Sequence, residues 1–295
     1  MKWLFFLLLP HLLCFAEEST PASPEGLPLF YWAEKWHGRT FVNFGDYLSL
    51  KIVERIVGKP IRVYQKGALR ERKMLAIGSI FSFAAENDVV WGTGINGKLL
   101  EKKHYRFSHL DVRSVRGPFT RQFLMDHFNI VCPEIYGDPA LLIPYLFPEF
   151  KRKENPAYDY IVIPHFSEEH LFPKSEIDNI VYSTEPWEEV MDKILDSKLV
   201  ISSSLHGVIV AEAFGIPARL LRMQDDNEES IFKYCDYYAG TKRPDFQYAT
   251  SIEEALEMGG MPPFECDLEK LYNAFPFDLW PNTIFNTLNF QKTYE

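Results

Sequence analysis

Residues 198–223 read KLVISSSLHGVIVAEAFGIPARLLRM, and this stretch decides the fold. Leu199 to Ile201 is a short apolar run with the composition of a buried strand. Ser202, Ser203 and Ser204 make the turn, and a helix is expected from Leu205 to Phe214, stopped by Gly215 with Pro217 beyond it. Ala218 to Met223 is apolar again and reads as a second strand. Such a β-α-β unit forces parallel strands and a right-handed crossover. Its turn delivers Ser203, Ser204 and His206 at a helix N-terminus above the carboxyl end of a strand, where open α/β sheets bind ligands. Unpaired N–H groups and a partial positive charge make an anion the natural guest there. Serines before a helix are often plain N-caps, stabilising by about 0.5–2 kcal/mol without chemistry. Three hydroxyls, an imidazole and a helix end close together tip the reading toward a site.

The 295 residues suffice for one large or two medium domains, and 46% hydrophobic with 24% charged residues is ordinary globular composition. A formal net charge of −10 argues against nucleic acid as a partner, although a local basic cluster can still hold an anionic small molecule. The chain starts MKWLFFLLLPHLLCFAEE: a basic start, an apolar run from Trp3 to Phe15, and Ala16 before an acidic, proline-bearing stretch. That is the pattern of a secretory signal peptide over 1–16, with a signal-anchor as the alternative. It places the protein in the secretory pathway or cell envelope if cleaved, and in the cytoplasm or on a membrane if not. Beyond Cys14, the set Cys132, Cys235 and Cys266 is odd and widely spaced, which makes no disulfide framework and no zinc site, though one disulfide could form.

Residues 17–28 read as a linker. Asn43-Phe44-Gly45-Asp46 then leads into a helix, Tyr47 to Val57, with Leu48, Ile52, Val53 and Ile56 on one face and Asp46 at the N-cap. Strand-like runs at Met74 to Ile77, Val89 to Trp91 and Leu110 to Val115 are each followed by a glycine-bearing turn. Gly92-Thr93-Gly94 lacks the third glycine of a dinucleotide fingerprint and reads as a tight loop. Pro118 opens a helix, Phe119 to His127, and Tyr136-Gly137-Asp138-Pro139 precedes another, Ala140 to Leu146. The charged, proline-bounded segment Pro148 to Pro156 is the best domain boundary. After it the alternation restarts: strands at Tyr160 to Ile163 and Ile180 to Tyr182, helices at Pro186 to Ser197, Ile231 to Tyr238, Ser251 to Met258 with Ser251 and Glu254 as a capping box, and Leu268 to Phe275. The expected architecture is α/β, with two Rossmann-like doubly wound domains facing a cleft. They cover 29–150 and 151–265, and the helix and aromatic tail of 266–295 return to the first.

Several stretches together resemble the polysaccharide pyruvyl transferase family. They are Asn43-Phe44-Gly45-Asp46, Gly92-Thr93-Gly94, Ser114-Val115-Arg116-Gly117-Pro118 with Thr120, Gly137-Asp138-Pro139-Ala140, and Ser202-Ser203-Ser204-Leu205-His206-Gly207. The resemblance runs from about Phe41 to Phe275, and it implies a GT-B-like fold. It also implies transfer of an enolpyruvyl group from phosphoenolpyruvate onto a sugar of a glycan, usually closing a ketal. No cofactor and no metal are implied, only phosphoenolpyruvate as donor and a glycan or polysaccharide as acceptor. The implied catalytic set is His206, Asp46 and Arg116, with Asn43, Gly45, Ser203, Ser204, Gly94, Asp138 and His165 as substrate-binding residues. Many members carry arginine where this chain has Ser204, and that arginine is implied to hold the donor; a serine-rich motif also occurs in exopolysaccharide members, and Arg113, Arg219 or Arg222 could supply the charge.

The residue types suit the chemistry. An imidazole can move a proton near neutral pH, helix N–H groups and hydroxyls can hold phosphate and carboxylate, and Asp46 can take a hydroxyl proton. His165, at another strand end, is the alternative acid, or a satisfied turn residue. Two rival readings fit the same sequence: a GT-B glycosyltransferase using a nucleotide sugar, and a non-catalytic glycan-binding descendant.

Overall fold

The computed structural model describes residues 26–36, 39–64, 71–175, 177, 179–223, 230–285 and 287–290. The leader at 1–16, most of the expected linker, and the acidic run Asp225 to Glu229 lie outside the described residues.

Two parallel sheets carry the chain. The first has β1 (Leu29–Phe30), β4 (Met74–Leu75), β5 (Val89–Trp91) and β6 (Asp111–Ser114) side by side in that order. The second orders β7 (Ile161–Ile163), β8 (Val200–Ser202) and β9 (Ala218–Leu220). All described pairings within these two sheets are parallel, and burial on both faces explains the unbroken apolar runs of Val89–Trp91 and Ile161–Ile163. A separate antiparallel ribbon pairs β2 (Glu34–Trp36) with β3 (Arg39–Phe41): the sequence predicts a short strand at Thr40 to Val42, but not its partner. Expected strand 180–182 reduces to a single bridge, Val162 to Ile180, within a loop.

Helix α1 (Phe44–Val57) starts one turn earlier than its apolar periodicity indicates. Asn43, not Asp46, is the N-cap: its side chain accepts the Gly45 N–H, and Asp46 falls inside the first turn. Gly58 closes the helix in the left-handed conformation. α2 (Pro118–Phe128) opens on its proline. The apolar segment after Asp138 is a 3₁₀ turn, Pro139–Leu142, followed by the one-turn α3 (Ile143–Leu146), not one regular helix. Pro139 and Pro144, both without an N–H, break the ladder there. The remaining helices are α4 (Trp187–Leu195), α5 (Leu205–Ala213), α6 (Phe232–Gly240), α7 (Ile252–Met258) and α8 (Leu268–Asn273). At α7 the reciprocal half of the capping box is shifted by one residue. Ser251 Oγ accepts the Glu254 N–H, while the Glu254 carboxylate accepts from Thr250.

α5 is buried along its whole length, the reason its sequence shows no polar face. It lies against α1, α4 and the 3₁₀ turn in one apolar cluster that joins both sheets, from Leu29, Val53 and Trp91 to Ile163, Val208 and Leu220. The chain's last described part closes over the first sheet: the Trp91 indole N–H donates to the Leu271 carbonyl at 2.9 Å, and Asp278 accepts two bonds from Arg113. Cys132, Cys235 and Cys266 are free thiols, so the expected optional disulfide does not form among them.

Candidate functional site

The two sheets point their carboxyl ends at one cleft of about 410 Å³. β4 leads to Ser79, β7 to His165, and β8 to Ser204 and His206; α1 brings Asn43 and Asp46, and α6 brings Lys233. All seven line the cleft, so residues scattered over the chain converge as the strand-end rule requires. The N-termini of α1 and α5 both open here, which biases the cleft toward negative charge.

His206 occupies the first turn of α5 and is buried. It fits against α1 because residue 45 is glycine: a Cβ there would collide with the imidazole. Behind it lies Asp138, whose Oδ1 accepts the Ala140 N–H at 2.9 Å and so caps the 3₁₀ turn. The other oxygen, Oδ2, is 3.8 Å from His206 Nε2, and neither atom has a hydrogen-bond partner. Burial pushes the Asp138 carboxyl up to about 6. Burial, together with the charges of Lys233 and Arg116, pushes His206 down to about 3. The imidazole is therefore neutral at physiological pH. A movement of roughly 1 Å would bring the pair to hydrogen-bond distance, the arrangement in which a carboxyl group orients a catalytic imidazole. Asp138 is thus placed behind the histidine and not on the cleft wall.

The serine turn divides its labour. Ser202 donates to the Ile163 carbonyl and accepts the Ser204 N–H, and Ser203 accepts the His165 N–H at 2.9 Å. These bonds tie β7 to β8. Of the three hydroxyl residues Ser204 lines the cleft, as the N-cap of α5 with no side-chain capping bond. His165 caps a 3₁₀ turn, Phe166–Leu171, with Nδ1 2.8 Å from Ser167 Oγ, and its ring packs on Phe166. The turn role foreseen for it is present, and it also borders the cleft.

Arg116 departs most from expectation. It is 1% exposed and sits behind Gly94, where a Cβ would strike the guanidinium. Its donors go to Asp236 at 3.1 Å, Ser79 Oγ at 2.6 Å and the Ile95 carbonyl at 2.7 Å. It supports the cleft through Ser79 and does not line it. The arginines expected to replace the family arginine are also held elsewhere. Arg113 pairs with Asp111 and Asp278, Arg219 binds a ring of backbone carbonyls from 247 to 260, and Arg222 lies over Tyr234 and Tyr248.

Lys233 was missed, although it is the one basic residue of an otherwise aromatic helical stretch, Ile231 to Tyr238. Also missed was an aromatic side of the cleft, where Trp32 and Phe166 meet with ring centroids 5.0 Å apart, beside Phe83. A second, larger groove of about 1320 Å³ lies at the other end of α5, lined by Phe214, Pro217, Phe264 and Cys266. It faces the amino end of β9 and the start of the short α8 and gathers none of the motif residues, so the smaller cleft is the candidate site. Among the described residues no group of three or more His, Cys, Asp or Glu is arranged to hold a metal ion.

Fold and cleft together define an α/β protein with a cleft at the ends of two parallel sheets. The sequence profile of the polysaccharide pyruvyl transferases matches residues 37–225, more than half of the chain. The chain belongs to the polysaccharide pyruvyl transferase family. It is 28% identical over 235 residues to the uncharacterized protein L143 of Acanthamoeba polyphaga mimivirus, covering 76% of this chain and 80% of that one. It is 30% identical over 199 residues to the succinoglycan biosynthesis protein ExoV of Rhizobium meliloti, covering 64% of this chain and 57% of ExoV. The crystal structure of an uncharacterized protein, KP1_0663, from Klebsiella pneumoniae aligns over 78% of this chain and 95% of its own at 11% identity and a TM-score of 0.45.

Proposed function

We infer that the chain transfers the enolpyruvyl group of phosphoenolpyruvate onto a glycan sugar and closes a pyruvate ketal across two hydroxyls. The observation that carries this reading is the neutral, buried His206 in a cleft where two helix N-termini and Lys233 favour an anion. On this reading the two sheets correspond to the lobes of a GT-B arrangement, with substrates between their strand ends. The relative ExoV carries succinoglycan biosynthesis in its name, which supports a polysaccharide acceptor. The Trp32–Phe166 face offers a surface on which a sugar ring can lie.

The reaction balances without a redox partner. A sugar oxygen attacks C2 of the enolpyruvyl group, the methylene carbon gains a proton, and phosphate leaves as the second hydroxyl closes the ketal. Of the two hydroxyl protons, one ends on the new methyl group and the other on phosphate. His206, held neutral by burial, accepts a hydroxyl proton and, raised by the bound anions, delivers it to carbon. Asp46, on the first turn of α1 with its Oδ1 against Gly78, accepts the other. The leader pattern at 1–16 supports a setting in the secretory pathway or at the cell envelope if it is cleaved, and in the cytoplasm or on a membrane if it is not.

Phosphate release from phosphoenolpyruvate, measured with cell-envelope glycan extracts as acceptor, tests the reading. Turnover is expected from the wild type, and His206→Gln should lower it about 10²–10⁴-fold, since glutamine keeps a hydrogen bond but shuttles no proton. Binding of a nucleoside diphosphate with no binding of phosphoenolpyruvate would move the protein to the glycosyltransferase reading.

A further inference from the structure

The two ring nitrogens of His206 meet different surroundings. Nε2 is sealed from solvent and faces Asp138 Oδ2 at 3.8 Å. Nδ1 lies on the other edge of the ring, against the first turn of α1, where a Cβ on residue 45 would stand 2.1 Å from it. Glycine at 45 keeps that edge open, and Asn43 and Asp46 on either side of it line the cleft. Among the described residues nothing bonds Nδ1, and it is not sealed as Nε2 is.

Asp138 is fully buried, and its Oδ1 is committed to the Ala140 N–H, so Oδ2 is the oxygen left for the ring. Its carboxyl gives up its proton at about 6, and at neutral pH an anion stands behind the imidazole. A buried carboxylate oxygen without a donor is costly, and an Nε2–H directed at it lowers that cost. A lone pair on Nε2 would face the same oxygen and raise it. We propose that Asp138 is a positioning residue that holds His206 as the Nε2–H tautomer, so that Nδ1 is the nitrogen that exchanges protons with substrate. The inference rests on the pyruvyl transfer reading for the identity of the substrate, and on the geometry for the assignment of the nitrogens. In that reaction a sugar O–H bond breaks as an Nδ1–H bond forms. The Nδ1–H bond then breaks as the new C–H bond of the methyl group forms, and the ring ends as it began. Between the two steps the ring is an imidazolium, which the Asp138 carboxylate stabilises without taking its proton, as an aspartate does behind the histidine of a serine protease. The glycine at 45 gains a chemical reason, because any side chain there would fill the space in front of the reacting nitrogen.

Nitrogen-15 NMR of the full chain with labelled histidine reads the tautomer directly. Above the Asp138 titration and without substrate, His206 should show Nδ1 at the shift of an unprotonated ring nitrogen and Nε2 at that of an N–H. Its signals are assigned by their loss in His206→Gln. The reverse pattern would overturn the proposal. In Asp138→Asn the amide oxygen can keep the Ala140 cap while the NH₂ donates to Nε2, which drives the ring proton to Nδ1. The His206 shifts should then exchange, with the signals of the other seven histidines in place as the check on folding. Turnover of phosphoenolpyruvate with a glycan extract should fall about 10²–10⁴-fold at little changed KM. Wild-type kcat in Asp138→Asn, or unmoved His206 shifts, would overturn the positioning role. An Nε2–H tautomer in a protein that neither binds nor turns over phosphoenolpyruvate would keep the assignment of the nitrogens and sink the pyruvyl transfer reading.

Discussion

His206 and Asp138 pull stability in opposite directions as pH changes. The buried imidazole titrates near 3 in the folded chain and near 6.5 when unfolded. From about pH 6.5 downward the unfolded chain thus binds a proton that the folded chain refuses, and stability falls with falling pH. Asp138 does the reverse: the folded chain holds its proton up to about 6, against 3.8 unfolded, so across that window stability falls as pH rises. Between about pH 4 and 6 the two slopes, each up to about 1.4 kcal/mol per pH unit, oppose one another. Asp138→Asn removes one of them. Its unfolding free energy, from urea titrations at several pH values, should climb with pH in this window more steeply than that of the wild type. Parallel curves for the two proteins would mean that the Asp138 carboxyl holds no extra proton in the fold.

At the scale of elements, α6 is the part that gives the motifs their relation to one another. Gly117, the N-cap of α2, has no side chain to offer the helix. The cap comes in trans: Asp236 of α6 accepts the Thr120 N–H at 2.9 Å and its hydroxyl at 2.7 Å, and pairs with Arg116. The Arg116–Asp236 pair is 1% and 0% exposed, so neither charge can turn to water if the other is lost. Arg116→Ala should lower the unfolding free energy by about 3–5 kcal/mol, as for other buried pairs deprived of one partner. Donor affinity should fall only as far as α6 shifts. A fully stable Arg116→Ala chain with abolished donor binding would instead assign Arg116 to the ligand.

For the molecule as a whole, the core is closed by residues far apart in the chain. Trp280 is 2% exposed, stacks on Phe275 with centroids 5.2 Å apart, and covers Gly26, where any Cβ would collide with the indole. Phe275 in turn meets Trp91 of the first sheet edge-on. Trp280→Ala should cost about 3–5 kcal/mol of stability, the range for emptying a buried aromatic site. Chemical denaturation would measure it; a loss below about 1 kcal/mol would show that the tail adds little to this core.

Much of this molecule is written locally. The β-α-β unit at 198–223, the α1 pattern of Leu48, Ile52, Val53 and Ile56, and the glycine turns after β4 and β5 follow from periodicity and from residues a few positions apart. The same local reading brought out four residues that line the cleft, Asp46, His165, Ser204 and His206, and the family resemblance added Asn43. Whether a charge meets substrate or another side chain was not local. Arg116 and Asp236 are separated by 120 positions, and no pattern around either one announces the other. Lys233 gives no sequence signal beyond being the one basic residue of an aromatic stretch; it becomes a cleft residue because α6 is pinned to both sheets. The sequence by itself determined which segments become strands and helices, since backbone propensity and amphipathic period act over one or two turns. Only the tertiary structure decided that Arg116 is a brace, Asp138 a buried neighbour of His206 and Lys233 a cleft cation. Those roles depend on which side chains packing brings within a few ångströms, and on how much water it removes around them.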